Sequence, residues 1–171
     1  MTSATAPSVR PRTPADLASC VELLSDVHHR DGYPVNWPAR PAEWLASGDT
    51  LGAWVAELDG RVAGHAVLSR PTDDDLAAHA WRERGGTEPG VVGRLFVGPA
   101  ARGHRLGAAL VGHAATEARR RGLHPVLDVV ASDRAAIALY ERAGWRLLTT
   151  ATRQWADGRA VTVHCYAGPA A

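Results

Sequence analysis

The segment Leu95–Gly107, with the sequence LFVGPAARGHRLG, limits the possible folds of this chain more than any other. It begins as an apolar strand, is interrupted by Gly98-Pro99, and passes through a glycine-containing loop into a helix. The helix is predicted because apolar side chains recur four residues apart on one face, at Leu106, Leu110, Ala114 and Ala118. A strand that leads directly into an amphipathic helix is typical of an α/β fold.

The remaining segments also alternate between patterns typical of strands and of helices. The pairs Asp59-Gly60 and Asp157-Gly158 separate apolar runs and predict β-hairpins. Strands are predicted over Val9–Arg12, Leu51–Leu58, Arg61–Ser69, Gly90–Val97, Val126–Val130, Leu147–Trp155 and Arg159–Tyr166. Helices are predicted over Pro14–His28, Pro41–Ala46 and Thr72–Arg84, then after Arg105 and after Asp133. We therefore expect an α/β protein with a mixed sheet of about six or seven strands.

The composition excludes several classes of protein. A chain of 171 residues predicts one domain, with residues 1–7 and 168–171 expected to be flexible. Nineteen basic against eighteen acidic residues argue against nucleic-acid binding, and Cys20 and Cys165 lack the spacing of metal ligands. Long apolar runs and a secretory signal are both missing, so no membrane association and a cytoplasmic location are expected.

The loop within Leu95–Gly107 has the chemistry of an anion site. Backbone N–H groups at a helix N-terminus are unpaired and carry partial positive charge, which suits a phosphate or pyrophosphate. Arg102, His104 and Arg105 add positive charge or donors, and Gly103 and Gly107 allow close approach of a ligand. The alternative is a tight connection without a ligand. The loop has neither the Gly-Lys-Ser/Thr of a Walker loop nor the three-glycine dinucleotide spacing.

Two motifs in Leu95–Trp145 resemble the GNAT superfamily of acyl-CoA-dependent N-acyltransferases. The residues Arg102-Gly103-His104-Arg105-Leu106-Gly107, followed by Ala108, are similar to the family loop Arg/Gln-x-x-Gly-x-Gly/Ala, with Arg105 in place of its first glycine. The segment DRAAIALYERAGW, Asp133–Trp145, is similar to the family's Asn-x-x-Ala…Leu-Tyr-Glu-x-x-Gly-Phe. The order of strands and helices from Val9 to Tyr166 also fits this family.

The resemblance implies a fold and a co-substrate. The fold is a mixed, mostly antiparallel sheet of six to seven strands, flanked by helices, with splayed central parallel strands. The co-substrate is acetyl-CoA, and no metal is implied. The backbone of Leu95, Phe96 and Val97 would bind the pantetheine arm. The pyrophosphate would lie on Arg102, Gly103, His104, Arg105, Leu106, Gly107 and Ala108.

Two residues of the second motif have both a functional and a structural interpretation. By resemblance, Tyr140 would be the general acid that protonates the departing CoA thiolate, and Asp133 would contact the CoA arm. A tyrosine here is otherwise a core residue, and Asp133 otherwise caps its helix. In that helix Ala136, Ile137, Tyr140 and Ala143 are expected to face inward.

Acceptor recognition is expected from two stretches that flank the acceptor cleft in the family. They contain His28, Tyr33 and Trp37 in the first and Trp81 and Glu88 in the second. The aromatic residues would form a wall, or else cap a long loop, and Asp31 or Glu88 would attract a cationic amine. The general base stays open among Glu88, Asp73–Asp75, His28, His29, His65 and a water chain.

The function expected is an acetyl-CoA-dependent N-acetyltransferase that acts on a small-molecule amine by direct attack on the thioester. The alternatives are a protein or peptide N-acetyltransferase and a non-catalytic CoA-binding sensor of the same fold. An aromatic wall favours a pocket over the open groove that a peptide needs. The helix over Thr72–Arg84 would act as a lid or as the surface of a homodimer.

Overall fold

A computed structural model describes residues 6–155 and 157–170 of the chain. Its strands are β1 (Ser8–Pro11), β2 (Thr50–Leu58), β3 (Arg61–Ser69), β4 (Pro89–Val97), β5 (His124–Val130), β6 (Arg146–Gln154) and β7 (Ala160–Ala167). Its helices are α1 (Leu17–Asp31), α2 (Pro41–Leu45), α3 (Leu76–Glu83), α4 (Leu106–Arg120) and α5 (Arg134–Arg142). Each strand and helix predicted from the sequence is present, with its ends displaced by a few residues.

The strands form one seven-stranded sheet in the order β1-β2-β3-β4-β5-β7-β6. The sheet is mostly antiparallel and contains one parallel pair, β4 with β5, which confirms the predicted fold class. The parallel ladder joins Pro89–Val91 to His124–Val126, the first three residues of each strand. Parallel strands require a crossover connection, and α4 supplies it between β4 and β5.

The chain divides into two compact units. The first contains the residues up to Leu68 together with Arg94–Ala114, and the second contains Ser69–Gly93 together with the residues from Ala115 onward. In the first unit, the apolar side of α1 packs with α2, β2 and β4 in a core of Cys20, Leu24, Val27, Leu45, Val55 and Phe96. In the second, alanines of α3 pack on β5 and β7, in a core of Ala77, Ala78, Ala80, Val126, Cys165 and Ala167.

Local chemistry explains where helices begin and end. Helix α1 continues past the predicted end at His28 until Gly32, whose φ of +74° ends it. Helix α3 begins at Leu76 and not at Thr72, because Thr72 instead donates to the Asp75 carboxylate in a separate turn.

Helix α5 follows the predicted pattern at both ends but not at every inward position. Asp133 caps it as predicted, since its carboxylate accepts from the Ala136 N–H at 3.1 Å. Gly144 follows the helix at φ +84°, as expected for a residue just past a C-terminus. Tyr140 is buried, and Ala136 and Ile137 are half-buried. The inward position expected for Ala143 is wrong, because this residue is exposed where the helix ends.

The ends of the chain lie partly outside the described residues. Residues 1–7 and 168–171 are expected to be flexible, and of these, residues 1–5 and 171 lie outside the described part of the chain. Gly168 is held by its N–H, which donates to the Pro125 carbonyl at 2.8 Å, and the Pro169 carbonyl accepts from Arg119. No helix among the described residues is long and apolar enough to cross a membrane. The cytoplasmic location and the homodimer stay predictions.

A buried histidine joins three segments of the first unit. His65 on β3 has no exposed surface, and its Nε2 lies 2.9 Å from the Arg12 guanidinium, which also donates to the Leu45 carbonyl at 2.7 Å. Its Nδ1 lies 2.9 Å from the Arg94 carbonyl on β4. Because a carbonyl only accepts and a guanidinium only donates, the ring is neutral and carries its hydrogen on Nδ1. Burial lowers the pKa of His65 to about 4.

This histidine should make the stability of the protein depend on pH. A neutral His65 contributes its full stability above the unfolded pKa of about 6.5, and that contribution is lost as the pH falls toward the folded pKa of about 4. The expected loss in the free energy of unfolding is about 3 kcal/mol. Denaturant unfolding between these pH values measures it, with His65→Gln as the comparison because glutamine does not titrate. An equal pH slope in both proteins would contradict the assignment.

Candidate active site

The loop between β4 and α4 has a backbone shaped by two left-handed residues. Gly103 has a φ of +85° and Arg105 a φ of +59°, and the imidazole Nδ1 of His104 lies 3.0 Å from the Ala101 carbonyl. Arg105 therefore adopts a left-handed conformation that glycine takes without strain, at a cost of about 1–2 kcal/mol for a residue with a side chain. The carbonyl of Arg105 accepts the first α4 hydrogen bond, from Ala109 at 3.1 Å.

The amides of this loop are available to a ligand. Among the described residues, no backbone N–H from Gly103 to Ala108 donates to another backbone group. Three of these six donors lie in the loop just before α4 and three lie in the first turn of this fifteen-residue helix, where the positive end of the helix dipole favours an anion. The added Cβ of a residue at 103 would meet no atom within 4 Å, so space next to the loop is open. These features fit a pyrophosphate.

Arg102 at the start of the loop forms an ion pair with Asp31 at the end of α1. Its Nη1 lies 3.3 Å from Asp31 Oδ1, and its Nη2 contacts the other carboxylate oxygen. The hydrogen bonds from Arg102 hold the pKa of Asp31 below its usual value. Asp31 therefore neutralises a loop arginine here, and a cationic amine would have to compete with that arginine for the carboxylate.

Strand β4 leads into the loop with an irregular backbone. Arg94 has a φ of +46°, and its guanidinium lies 4.9 Å from the centre of the Trp44 ring. The next three residues alternate in burial: Leu95 and Val97 are half-buried, and Phe96 is buried in the core of the first unit. These are the residues predicted to bind the pantetheine arm, and their main-chain contacts with it stay predictions.

Three residues predicted for the acceptor site lie together in the first unit. The His28 Nδ1 lies 2.8 Å from the Pro34 carbonyl, and the His28 ring is 5.2 Å from the Trp37 ring. Tyr33 packs on Phe96 of β4, with ring centres 6.4 Å apart. Trp37 remains 40% exposed. The loop after α1 is thus attached to the strand that carries the predicted pantetheine site, and it presents an exposed indole.

Trp81 and Glu88 belong to the second unit. The Trp81 ring stacks on His124 with centres 3.9 Å apart, and its Nε1 donates to the Thr87 carbonyl at 2.8 Å. Glu88 pairs with Arg82 at 2.8 Å, and both side chains are largely exposed. Such an exposed pair is weak, so Glu88 can exchange Arg82 for a cationic ligand. The acceptor roles of Trp81 and Glu88 stay predictions.

Tyr140 lies in an aromatic cluster of the second unit. It is 6% exposed, and its ring centre is 6.1 Å from that of Trp145 and 6.2 Å from that of Tyr166. The hydroxyl of Tyr166 donates to Glu141 at 3.0 Å, and burial is the main cause that raises the pKa of Tyr166 to about 12. Burial of Tyr140 agrees with its interpretation as a core residue and leaves its proposed proton transfer as a prediction.

The structure narrows the search for a general base. His65 is unsuitable, because Arg12 occupies its only lone pair on nitrogen. Asp75 accepts from Thr72 at the start of α3, and His29 Nδ1 lies 2.7 Å from the Ser25 carbonyl. Sequence reasoning missed Asp128 on β5, a half-buried carboxylate whose pKa is raised by burial. The signal was a single charged residue inside an otherwise apolar strand, HPVLDVV.

Comparison with known proteins places the chain in a family. The model of the acetyltransferase (GNAT) family matches residues 17–145. The chain belongs to the GNAT family. As a member, it is an N-acetyltransferase that uses acetyl-CoA as co-substrate. Comparison with curated proteins gives no match.

Solved structures share the fold at low sequence identity. The ribosomal-protein-S18-alanine N-acetyltransferase from Escherichia coli is 21% identical, with 96% of each chain covered and a TM-score of 0.67. An N-acetyltransferase from Staphylococcus aureus Mu50 is 17% identical, with 95% of this chain and 98% of the other covered and a TM-score of 0.75. Arabidopsis thaliana NAA60 in complex with acetyl-CoA is 17% identical, with 94% and 98% covered and a TM-score of 0.70.

The Asp31–Arg102 pair predicts a measurable effect on acetyl-CoA binding. Asp31→Asn should lower the Kd of acetyl-CoA by about two- to five-fold, because Arg102 would no longer have to break an ion pair with Asp31 before it binds a phosphate. Arg102→Ala should raise the Kd. Titration calorimetry at low salt measures both, and Glu43→Gln, which breaks the exposed Arg40–Glu43 pair, is the matched control. Weaker binding by Asp31→Asn would instead mean that Asp31 holds Arg102 in its binding position.

Proposed function

We propose that this enzyme transfers the acetyl group of acetyl-CoA to the primary amine of a small molecule, by direct attack of the amine on the thioester. A small-molecule acceptor is supported by the packing of Tyr33 on Phe96, whose ring centres are 6.4 Å apart. It attaches the loop after α1 to the strand that would hold the pantetheine arm. A loop fixed in this way supports a walled pocket better than an open groove for a polypeptide.

The exposed face of that loop suits an acceptor with an apolar or aromatic body. Trp37 is the exposed aromatic side chain, and His28 packs beside it. An indole gains several tenths to about 1.5 kcal/mol from contact with another ring beyond the area that is buried. Asp31, the carboxylate at the end of α1 just before the loop, is neutralised by Arg102. Small amines that carry a ring or an alkyl chain are therefore preferred in this proposal over polycations.

The proposed mechanism gives each segment one task. The amides from Gly103 to Ala108, with Arg102, hold the pyrophosphate, and Asp133 contacts the CoA arm. The backbone of Leu95–Val97 aligns the pantetheine and donates to the thioester carbonyl as negative charge develops there, a contribution of about 3 kcal/mol in comparable sites. Trp81 and Glu88 complete the acceptor side. Tyr140 gives a proton to the departing thiolate sulfur, where placement matters more than acidity because phenol and thiol have similar pKa values.

Protein acetylation is the competing proposal, because some enzymes with the same fold have names that state a protein substrate. They include the ribosomal-protein-alanine N-acetyltransferases from Escherichia coli and from Brucella melitensis. At sequence identities of 21% and 23%, these similarities show a shared fold and do not identify the acceptor substrate of this enzyme.

A panel of acceptors separates these proposals. Thiol release from acetyl-CoA should be observed with small primary amines such as phenylethylamine and not with peptides that begin with alanine or contain lysine. Trp37→Ala should raise the KM of the amine and leave the Kd of acetyl-CoA unchanged. Turnover with peptides alone would establish a protein acetyltransferase, and no turnover with either group would contradict both proposed classes of acceptor.

Tyr140→Phe tests the proton donor. It should lower kcat by about 10²-fold or more and change the Kd of acetyl-CoA less than two-fold, since it removes only a hydroxyl that acts during thiolate departure. The control is Tyr166→Phe, which removes a hydroxyl from the same aromatic cluster. Stopped-flow measurement of thiol release and calorimetry give the two quantities. Equal kcat values in the Tyr140→Phe variant and the unmodified enzyme would remove Tyr140 from the mechanism.

A further inference from the structure

One face of the sheet in the second unit packs against α3. The buried residues of α3 pack on Val126 of β5, Cys165 of β7 and Ala167 of β7, and Val91 of β4 packs against the same cluster. These side chains share a face, since Val91 pairs with Val126 and Val126 pairs with Ala167. The apolar floor under α3 is therefore made by the beginnings of β4 and β5 and the end of β7.

Two residues further along β4 and β5, the same face changes character. Side chains alternate along a strand, so Asp128 lies on the face of Val126, and its register partner is Cys165. Gly93 lies on the face of Val91 by the same argument. The parallel ladder ends at the pair Val91 and Val126, and Gly93 and Asp128 each lie two residues beyond that pair. We refer to this area, Gly93 with Asp128, as the β4–β5 recess.

The recess is open to a ligand on the side of the carboxylate. A Cβ placed on Gly93 would meet no atom within 4 Å, so β4 leaves free space at this level. The side chain of Asp128 is 30% exposed, although the strand on which it lies is otherwise largely buried. Space beside a reachable carboxylate is what a small ammonium group requires.

Arg153 of β6 fixes the Asp128 carboxylate by donating to its Oδ2 at 2.6 Å. Among the described residues, Arg153 donates to one oxygen of the carboxylate, and the other oxygen, Oδ1, can accept a hydrogen bond from the substrate amine. A guanidinium next to an incoming ammonium also repels it, which favours loss of a proton from the nitrogen. Burial and the charge of Asp75 raise the pKa of Asp128, while Arg153 opposes them.

We propose that Asp128 is the proton acceptor for the attacking amine, and that Arg153 is the positioning residue that holds its carboxylate at the β4–β5 recess. This inference rests on the amine acetylation proposed above. The bound ammonium gives one proton to Asp128, which passes it to solvent, and the free amine attacks the thioester carbon. The C–S bond breaks, the sulfur takes a proton from Tyr140, and the remaining surplus proton on nitrogen restores that tyrosine.

The sharpest test compares two nucleophiles that differ in their need for a base. Hydroxylamine is already largely unprotonated at pH 7.5, whereas an alkylamine is an ammonium ion. Asp128→Asn should lower kcat/KM for the best amine of the panel by about 10²-fold and leave the rate with hydroxylamine within about two-fold. Part of the loss should return at higher pH, where the free amine is more abundant. Asp128→Glu should recover part of the amine rate.

Arg153→Met distinguishes positioning from a structural role. Removal of the cation raises the pKa of Asp128, so the acidic limb of the kcat/KM profile should move to higher pH by about one unit or more. Asp157→Asn is the matched control, because it breaks another Asp–Arg pair of the second unit, with Arg159 at 2.6 Å. Its profile and its amine-to-hydroxylamine ratio should not change. The Kd of acetyl-CoA and the unfolding temperature of each variant report whether the fold is intact.

The outcomes separate this inference from the proposed function. A folded Asp128→Asn enzyme with an unchanged amine rate and pH profile overturns the assignment of Asp128, and amine acetylation stands. If the unmodified enzyme acetylates no amine, the proposed function fails. NMR then tests separately whether an amine binds next to the Asp128 carboxylate. Phenylethylamine added to the acetyl-CoA complex must then shift the carboxyl resonance of Asp128. No shift overturns the assignment.

Discussion

The hydrogen bonds of one buried histidine fix the part of the first unit that contains the predicted cofactor site. His65 connects Arg12, which follows β1, with the Arg94 carbonyl on β4, at 2.9 Å on each side. Arg94 is also the residue at which β4 adopts a left-handed φ, and Leu95–Val97 and the loop follow at once. In a low-dielectric interior such bonds are strong and an unpaired member is costly, so the network allows little variation in the course of β4.

The anion site depends on backbone conformation more than on any one side chain. Two residues of the loop, Gly103 and Arg105, have a left-handed φ, and Arg105 adopts it at an energetic cost. That cost is offset by α4, whose Leu106 and Leu110 are almost completely buried. Arg105 thus holds a left-handed φ at the position where the family loop has a glycine, and the buried side chains of α4 hold the end of the loop in place.

In the second unit, α3 packs on an apolar part of the sheet that lies next to the Asp128–Arg153 pair. Its buried side chains are those of Ala77, Ala78 and Ala80, which pack with Val126 and Cys165. The helix begins at Leu76, after the turn closed by Asp75, and the sheet next to the apolar cluster carries Asp128 and Arg153. A carboxylate kept partly out of water by its strand and held by a cation is typical of functional sites.

The sequence by itself determined the elements and their order, because apolar periodicity, Asp-Gly turns and the Asp133 cap act over a few residues. It also determined the loop Arg102–Ala108, since a helix start after a strand exposes amides whatever surrounds it. Only the tertiary structure decided that Arg102 meets Asp31, that His65 is fully occupied, and that Asp128 is reachable. These contacts join residues far apart in the chain, and their partners follow from strand order and from where a helix stops, which no local pattern encodes.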